Sequence, residues 1–260
     1  MKLYFKYVKI LLKSSFEYRL SITLTIIAQL FKTFFTFLGI FLLFERFNNI
    51  AGWTLGEVVL CFAVSTASFS IAETIARGFD RFSNMIINGD FDRVMLRPRN
   101  TILQVFGSNF DISRVGRLIN SIATLIIALN YLNIPFTFTK WIVLLMMIIS
   151  GTFIFIGIFM LGAAVCFYTV EGLETINIFT DGGREIASYP LDIYNKWLKR
   201  FFTFVIPFAS FNYLPLMYLV DKTNSNPYLY MLSPLIGIIF LIPCIFIWNL
   251  GVKKYLSTGS

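Results

Sequence analysis

Long apolar runs separated by charged segments are the feature that most constrains how this sequence can fold. A helix needs roughly 20 residues to cross the hydrocarbon core of a bilayer, and all but one of the runs reach that length. They are Leu20–Phe44, Leu55–Ala76, Leu118–Leu132, Trp141–Phe167, Phe201–Val220 and Leu229–Leu250. Apolar residues within them are continuous and do not alternate with polar ones, which excludes a β-barrel. The sequence therefore predicts an all-α integral membrane protein with six transmembrane helices.

The 22 Lys and Arg residues indicate how these helices are oriented. Most of them lie in the N-terminal arm, between the second and third runs, between the fourth and fifth, and at the C-terminus. Because basic loops resist translocation, those segments should be cytoplasmic. This predicts a multi-pass protein of the cell membrane (an inner or plasma membrane) with both termini in the cytoplasm. The net charge of +8 then reflects topology, with the lipid bilayer rather than nucleic acid as partner.

The N-terminal segment, residues 1–19, predicts a helix that lies in the inner membrane interface. Lys2, Lys6, Lys9 and Lys13 recur every three or four residues and so form one stripe on a helix, while apolar residues occupy its other faces. Such a helix places its lysines against anionic head groups. A disordered basic tail is the alternative.

The residues that the chain lacks exclude several kinds of site. It contains no histidine, which removes His-based catalysis, haem ligation and most zinc sites. It also has no Gly-Lys dipeptide, so it has no phosphate-binding P-loop. Cys61, Cys166 and Cys244 lie far apart in or beside apolar runs, which is typical of small buried hydrophobes. We expect no catalytic residue, no metal and no cofactor bound by this chain.

A few charges lie within or at the ends of the apolar runs. Lys32 is near the middle of the first run, and a charge at that depth should face protein or water rather than lipid. Glu73 and Arg77 end the second run as an i,i+4 pair, which indicates a helix-end ion pair. Arg114 and Arg117 precede the third run and are expected to snorkel to the inner interface.

Residues 78–111 form the first polar island and predict short helices lying under the membrane. Asn88-Gly89 is a stop signal for the first short helix, and Pro98 ends the second. The apolar positions of the first short helix are Phe82, Met85 and Ile86, and the charges of the second are Asp90, Asp92, Arg93 and Arg97. An ordinary loop that binds lipid head groups is the alternative interpretation.

Residues 168–200 form the second polar island. Hydropathy alone assigns it to a cytoplasmic loop before the run Phe201–Val220. It contains a flexible Gly182-Gly183 and five charged residues in its first half: Glu171, Glu174, Asp181, Arg184 and Glu185.

Several segments together resemble the permease subunits of ABC-2 type transporters. The likeness is carried by Arg77-Gly78, NGDFDRVMLRP at residues 88–98, Gly52-Trp53 with Glu57, YPLDIY at 189–194, VIPFASFNYLP at 205–215 and YLSTGS at 255–260. The run ending in Leu-Arg-Pro resembles the cytoplasmic signature of the six-span subfamily. Each motif is weak alone, but their order along the whole chain makes the set specific.

The resemblance implies one transmembrane permease domain over residues 1–260, paired with a second permease subunit and two cytoplasmic ABC ATPase subunits that bind ATP and Mg. Residues 78–111 would be the coupling segment, with the coupling helix near Ser83–Asn88. Its ATPase-coupling residues would be Phe82, Met85, Ile86, Gly89, Asp92, Arg93 and Arg97. Met85 and Ile86 would be its apolar anchors.

The resemblance also offers a second topology. Residues 189–220 would form an external re-entrant helical hairpin before the last span, and the fifth span would be about Glu171–Ser188. This version moves Lys196, Lys199 and Arg200 outside, against the positive-inside tendency, but we favour it over the continuous span Phe201–Val220. The charges at membrane depth would then suit a substrate path, comprising Lys32, Glu73, Glu174, Asp181, Arg184 and Glu185.

These observations together predict a permease subunit of an ATP-driven exporter. Phe-rich, apolar spans favour an amphipathic or hydrophobic substrate over a sugar. The alternative is an ion-coupled secondary transporter or channel that works without an ATPase, although the two halves of the chain show no matching pattern of broken helices. An intramembrane enzyme is disfavoured because no catalytic constellation is present.

Overall fold

The computed structural model describes residues 7, 10, 19–109, 114–132, 134–169, 173–223 and 225–255, without the side chains of 173–177. Nearly all of the predicted interfacial helix over residues 1–19 lies outside these residues. Only Tyr7, Ile10 and Arg19 of that segment are described, and all three are helical.

Most of the described residues are helical. In chain order the helices are α1 (Arg19–Arg46), α2 (Leu55–Ile75), α3 (Arg77–Asp80), α4 (Phe82–Ile87), α5 (Asp90–Met95), α6 (Thr101–Phe106), α7 (Val115–Leu132), α8 (Phe138–Val165), α9 (Leu173–Ala187), α10 (Lys196–Phe204), α11 (Leu214–Leu219), α12 (Pro227–Leu232) and α13 (Leu235–Lys254). Among them α1, α2, α7, α8 and α13 are long and apolar enough to cross a membrane, and the bent pair of α10 and the segment Ala209–Leu219 brings the number to six. The predicted all-α membrane fold is confirmed.

Helix α2 is the centre of the fold, packed mainly between α7 and α8. Nearly all of its side chains are buried, whereas α1 buries only Thr33, Ile40 and Phe44. Where helices cross in a membrane, small residues let the backbones approach closely. Gly116 of α7 is such a position, because a Cβ there would lie 2.5 Å from the backbone oxygen of Ile26 on α1.

We refer to the two ends of the helix bundle by residues of α2 and the loop before it. The Trp53 end contains the start of α2, and the Glu73 end contains its last turn and the short helices α3–α6. The start of α2 is fixed by a capping box, in which the backbone N–H of Thr54 donates to the Glu57 carboxylate at 2.8 Å.

The predicted run Phe201–Val220 is not one straight helix. Helix α10 ends at Phe204, and the segment Ala209–Leu219 continues at an angle of 89° to it. Pro207 lies in the break, where its missing N–H and fixed φ prevent a continuous helix. The return segment begins with a π-helical turn, Ala209–Tyr213.

Both arms of this bent segment reach the Trp53 end. The Lys199 ammonium on α10 lies 3.2 Å from the Tyr213 hydroxyl, and the Tyr213 ring lies 6.1 Å from that of Trp53. The returning arm is held inside by Asn212, whose side chain donates to the backbone oxygens of Cys61 on α2 and Ala187 on α9. A pair bent in this way is a broken span or a re-entrant segment, and re-entry stays a prediction; we refer to residues 196–219 as the hairpin.

The last predicted run, Leu229–Leu250, is two helices rather than one. Helix α12 ends at Leu232, and the long helix α13 begins only at Leu235. Pro234 lies between them, directly before the first residue of α13. Proline suits the start of a helix better than its interior, so the break falls here. The three cysteines are free and buried, as their positions in the apolar runs predict.

Candidate functional site

Four short helices, α3–α6, extend the Glu73 end of the bundle. Gly89 separates α4 from α5 in the left-handed conformation (φ +68°), which is the stop that Asn88-Gly89 predicts. Gly78 lets α3 lie against α6, because a Cβ there would overlap the Val105 backbone oxygen. The Gln104 amide donates to the backbone oxygens of Val94 and Arg99, which fixes the turn between α5 and α6.

An aromatic cluster ties these helices to the long ones. It consists of Phe79, Phe82, Phe91, Phe167, Trp248 and Tyr255. The Phe82 ring lies at its centre, 5.0 Å from those of Phe91 and Trp248 and 5.1 Å from that of Phe167, between ring centroids. Such pairs add to the stability that burial alone supplies. Helices α4 and α5 are thus packed onto the end of α13 and onto Phe167, just beyond α8.

Two hydrogen bonds reinforce the aromatic cluster. The Trp248 indole N–H donates to the Thr101 hydroxyl at 3.2 Å, and the Tyr255 hydroxyl donates to the Asp92 carboxylate at 3.0 Å. Burial, together with this bond to Asp92, raises the pKa of Tyr255 to about 12. Asp92 is therefore engaged within the chain, although the resemblance places it at a partner interface.

The structure separates the predicted coupling residues into inner and outer ones. Phe82 and Ile86 are buried, with Ile86 only 2% exposed, and Met85 is half-buried. Ile86 thus packs within this chain, and the anchor role expected for it from the sequence stays a prediction. A six-residue helix with four apolar residues gives no clear signal for which of them faces outward.

The outer surface of α4 and α5 carries two of the predicted coupling residues, Arg93 and Arg97. It also carries three residues that were not predicted. We define the outer patch as Ile87, Arg93, Met95, Leu96 and Arg97, all exposed, with Leu96 85% exposed. The Arg97 guanidinium also donates to the Tyr7 hydroxyl at 3.3 Å, so the N-terminal segment reaches this patch. The patch combines apolar side chains with basic ones.

A buried ion cluster lies directly beside the short helices and is centred on Glu73. One carboxylate oxygen of Glu73 lies 3.0 Å from Arg77 and 3.1 Å from Arg114, and the other lies 2.7 Å from Arg117. The predicted pair of Glu73 and Arg77 is thereby confirmed. Arg77 also bonds Asp80 on α3. A buried carboxylate is tolerated only when such partners satisfy it.

Arg117 extends the ion cluster across the bundle. It is 2% exposed, donates to the Gln29 side chain at 2.8 Å, and lies over the Phe69 ring at 5.3 Å from its centroid. The expected snorkelling of Arg117 is wrong, because Glu73 and Gln29 hold its guanidinium inside the protein. One arginine of α7 thus joins α1 and α2.

The remaining residues of the predicted substrate path are only partly brought together. Arg184 lies near the same Phe69 ring as Arg117, 5.3 Å from its centroid, and pairs with Glu185. Asp181 and Lys32 are exposed on the outer faces of α9 and α1. Glu174 has its side chain outside the described residues.

A second polar cluster, at the Trp53 end, is not anticipated by the sequence analysis. Lys222 lies 2.7 Å from the Glu57 carboxylate and 4.8 Å from the centroid of the Trp53 ring. Lys140 pairs with Asp221 at 2.8 Å. These contacts join the loops before α2 and after α11 with the start of α8, and their partners are too distant in sequence to be read from spacing.

The hairpin contributes its own pair to this end. Asp192 accepts from Lys199 at 2.5 Å and from the Tyr213 hydroxyl at 2.8 Å. Burial alone acts to raise the pKa of Asp192, but these two bonds lower it below its usual value.

The cavities of the described region are apolar where they face the spans. The one beside the short helices has a volume of about 420 Å³ and is lined by α2, α6, α8 and α13, with Ile75, Phe106 and Ile148 among its residues. In the described part of the chain no three Cys, Asp or Glu side chains converge as metal ligands would.

Comparison with known proteins gives one match. A family model described as "ABC-2 family transporter protein" covers residues 30–259, which is most of the chain. Neither the curated proteins nor the solved structures contain a match.

Proposed function

Because the chain belongs to the ABC-2 family of transporter proteins, we propose that it forms half of the translocation path of an ATP-driven exporter and that the outer patch is where an ATPase subunit docks. As a member of that family it is a multi-pass permease subunit of an ABC transporter, a membrane component that associates with an ATP-binding subunit. The assembly that we propose contains two ATPase subunits and two permeases.

The chemistry of the outer patch supports the docking proposal. Leu96, Met95 and Ile87 are apolar side chains exposed on short polar helices beyond the end of α2, and basic residues surround them. A small apolar centre with a polar rim is the ordinary anatomy of a protein interface. In this arrangement Leu96 and Ile87 take the anchor role, Met85 contributes from the edge, and Arg93 and Arg97 set the register.

The connection from the patch to the spans supports a coupling role. Helix α5 is held by Phe91 in the aromatic cluster, which includes Trp248 of α13, and α3 is held by Arg77 to Glu73 on α2. A push on the patch would therefore be passed to α2 and α13 rather than absorbed by a loose loop. Movement of packed helices against one another is a common form of such switching.

Orientation and substrate complete the proposal. The positive-inside tendency puts the Glu73 end, both termini and the patch in the cytoplasm, and it leaves the Trp53 end and the re-entrant hairpin outside. The apolar cavities and the exposed aliphatic faces of the spans favour an amphipathic or hydrophobic substrate. No step of ATP hydrolysis is assigned to this chain.

The single observation that carries the docking proposal is the 85% exposure of Leu96 on a segment fixed to the spans. Leu96→Asp should reduce the ATPase that copurifies, and the ATP turnover of the reconstituted complex, by about tenfold or more, as loss of an interface hot spot does. Leu229→Asp makes the same change at an exposed leucine of α12, and both readouts should stay at wild-type levels. Equal activity in the two variants would refute the docking assignment.

The alternative function is tested with the purified chain alone. An ion-coupled carrier or channel would move solute in vesicles that contain an ion gradient and no ATPase. We expect no such movement, and its observation would replace the exporter proposal.

A further inference from the structure

The ammonium of Lys222 at the Trp53 end is surrounded by groups from a distant part of the chain. Lys222 Nζ lies 2.7 Å from both oxygens of the Glu57 carboxylate. The same nitrogen lies 3.0 Å from the Gly52 backbone oxygen and 4.8 Å from the centroid of the Trp53 ring. A carboxylate, a carbonyl oxygen and an aromatic face are groups that attract an ammonium ion. We refer to Gly52, Trp53 and Glu57 as the ammonium cage.

The ammonium cage is held in shape by its own segment of the chain. Ile50 and Trp53 exchange backbone hydrogen bonds of 3.1 and 3.0 Å across a two-residue turn. Both residues of that turn have positive φ, which suits glycine at the second one, Gly52 (φ +83°). Glu57 is held by the capping box at the start of α2. Loss of the Lys222 ammonium should therefore leave the three cage groups in place.

A polar cavity of about 450 Å³ borders the cage on its outer side. Its lining includes Trp53, Asp192, Asp221 and Lys222. Unlike the cavities along the spans, it is lined mainly by polar groups. The Lys222 side chain is 38% exposed, whereas that of Glu57 is 7% exposed. Cavities of this volume are large enough for a small ligand, and the cage lies at the inner wall of this one.

A second ammonium of the chain is held in the same way at this cavity. The Lys199 ammonium lies 4.8 Å from the centroid of the Tyr213 ring and pairs with Asp192, which lines the cavity. The Tyr213 ring lies 6.1 Å from that of Trp53. Two neighbouring pairs of an aromatic ring and a carboxylate therefore each bind an ammonium group here.

The exposure of these charges decides which kind of ligand the cavity can take. An anion would draw Lys222 away from Glu57 and leave a buried carboxylate unpaired, which is costly. A cation that enters the cage keeps Glu57 paired, while the flexible Lys222 side chain turns into water. Because one ammonium replaces another, the exchange costs little and gains little. Binding is then weak and release is easy, as the outer end of an export path requires.

We propose that this cavity is a low-affinity exit site for an amine-bearing, cationic compound, whose ammonium group takes the place of the Lys222 ammonium in the cage. The rest of the compound would occupy the cavity, where Met217 offers an apolar contact and Asp221 an exposed carboxylate. The inference rests on the exporter proposed above. It narrows the amphipathic substrate class to compounds that carry a positive charge.

The first test measures the binding of n-butylammonium to the purified full chain in detergent micelles by saturation-transfer difference NMR. Lys222→Ala should bind the probe about tenfold more tightly than wild type, as expected if Lys222 occupies the cage for about nine-tenths of the time. Lys196→Ala removes an exposed lysine outside the cavity and should match wild type. The neutral probe 1-butanol should show no difference between the variants. Equal affinity of wild type and Lys222→Ala for butylammonium would overturn the proposal.

The second test removes the cage groups from the chain that carries Lys222→Ala. Glu57→Gln keeps an acceptor for the Thr54 backbone N–H, so the start of α2 is retained. The affinity for butylammonium should nevertheless fall by about tenfold, because the charge-assisted bond is lost. Trp53→Leu should weaken binding by about threefold through loss of the cation–π contact. Circular dichroism checks that both variants keep their helices, and unchanged binding in Glu57→Gln would overturn the assignment.

The outcomes separate this inference from the proposed function, because binding is measured without the ATPase. A chain that copurifies with an ATPase but binds butylammonium equally well with and without Glu57 would overturn the exit site and leave the exporter in place. A chain that binds the probe as predicted and never associates with an ATPase would support the site and count against the exporter.

Discussion

The two ends of the bundle hold their helices together in different ways. At the Glu73 end the central carboxylate is 7% exposed and Arg117 2% exposed, and three arginines converge on one acid. At the Trp53 end, Lys222 and Lys199 are each 38% exposed and each pairs with one acid. Water can replace a partner at the second end but not at the first. We infer that pairs at the Trp53 end can separate and reform far more readily than those at the Glu73 end.

The largest effect is expected from the centre of the buried cluster. Glu73→Gln removes the carboxylate charge that three arginines share and should reduce the free energy of unfolding by about 3–5 kcal/mol, as breaking a buried ion pair does. Chemical unfolding in detergent micelles measures it. Asp90→Asn is the matched control, since its pair with Arg93 is exposed and 3.5 Å long, and it should cost less than about 1 kcal/mol. Similar losses in both variants would mean that the buried cluster stabilises the fold no more than an exposed ion pair at the same end does.

A smaller effect is expected at the Trp53 end. Lys222→Met removes a half-exposed ion pair and a cation–π contact, so the free energy of unfolding should fall by about 1 kcal/mol. Glu57 keeps the bond from the Thr54 backbone N–H, which limits the cost. Lys253→Met removes a lysine from the exposed surface at the other end and should be neutral. If Lys222→Met lowered the free energy of unfolding as much as Glu73→Gln does, the Trp53 end would be no easier to open than the Glu73 end.

The smallest effect expected is a pH dependence of the folding stability that arises from one residue of the hairpin region, Asp192. Asp192 has a pKa below its unfolded value of 3.8, so its ionised form stabilises the folded state above that value. The contribution is lost as the pH falls through the folded-state pKa. Thermal unfolding between about pH 6 and about pH 3 should show wild type approaching Asp192→Asn as the pH falls. A constant difference in unfolding temperature between wild type and Asp192→Asn over that pH range would contradict the stabilising role of ionised Asp192.

The sequence alone was sufficient for four of the six predicted spans and insufficient for the clusters. Apolar length and composition located α1, α2, α7 and α8 within a few residues, because a span has to satisfy the thickness of the bilayer. The ion cluster joins residues 44 and 88 positions apart, and no local pattern encodes such pairs. A useful signal did exist: Glu73 and Arg117 both stand at the end of an apolar run, where an isolated charge needs a partner.

The short helices show the same limit at smaller scale. The stop at Asn88-Gly89 and the end before Pro98 were predictable because turn chemistry is local. Which apolar side chain faces inward was not predictable, since Phe82, Ile86 and Ile87 all lie on one short helix. Only the position of Trp248, far along the chain, decides that Phe82 is inside and Ile87 outside.

The amide of Asn212 has a mechanical consequence. Because one side chain bonds the backbone of both α2 and α9, the returning arm of the hairpin is tied to two long helices at once. A rotation of either helix would move the returning arm with it. The hairpin should therefore move together with these helices and not independently of them. A fluorophore attached near its mouth would then report the tilt of the bundle from the far side of the membrane.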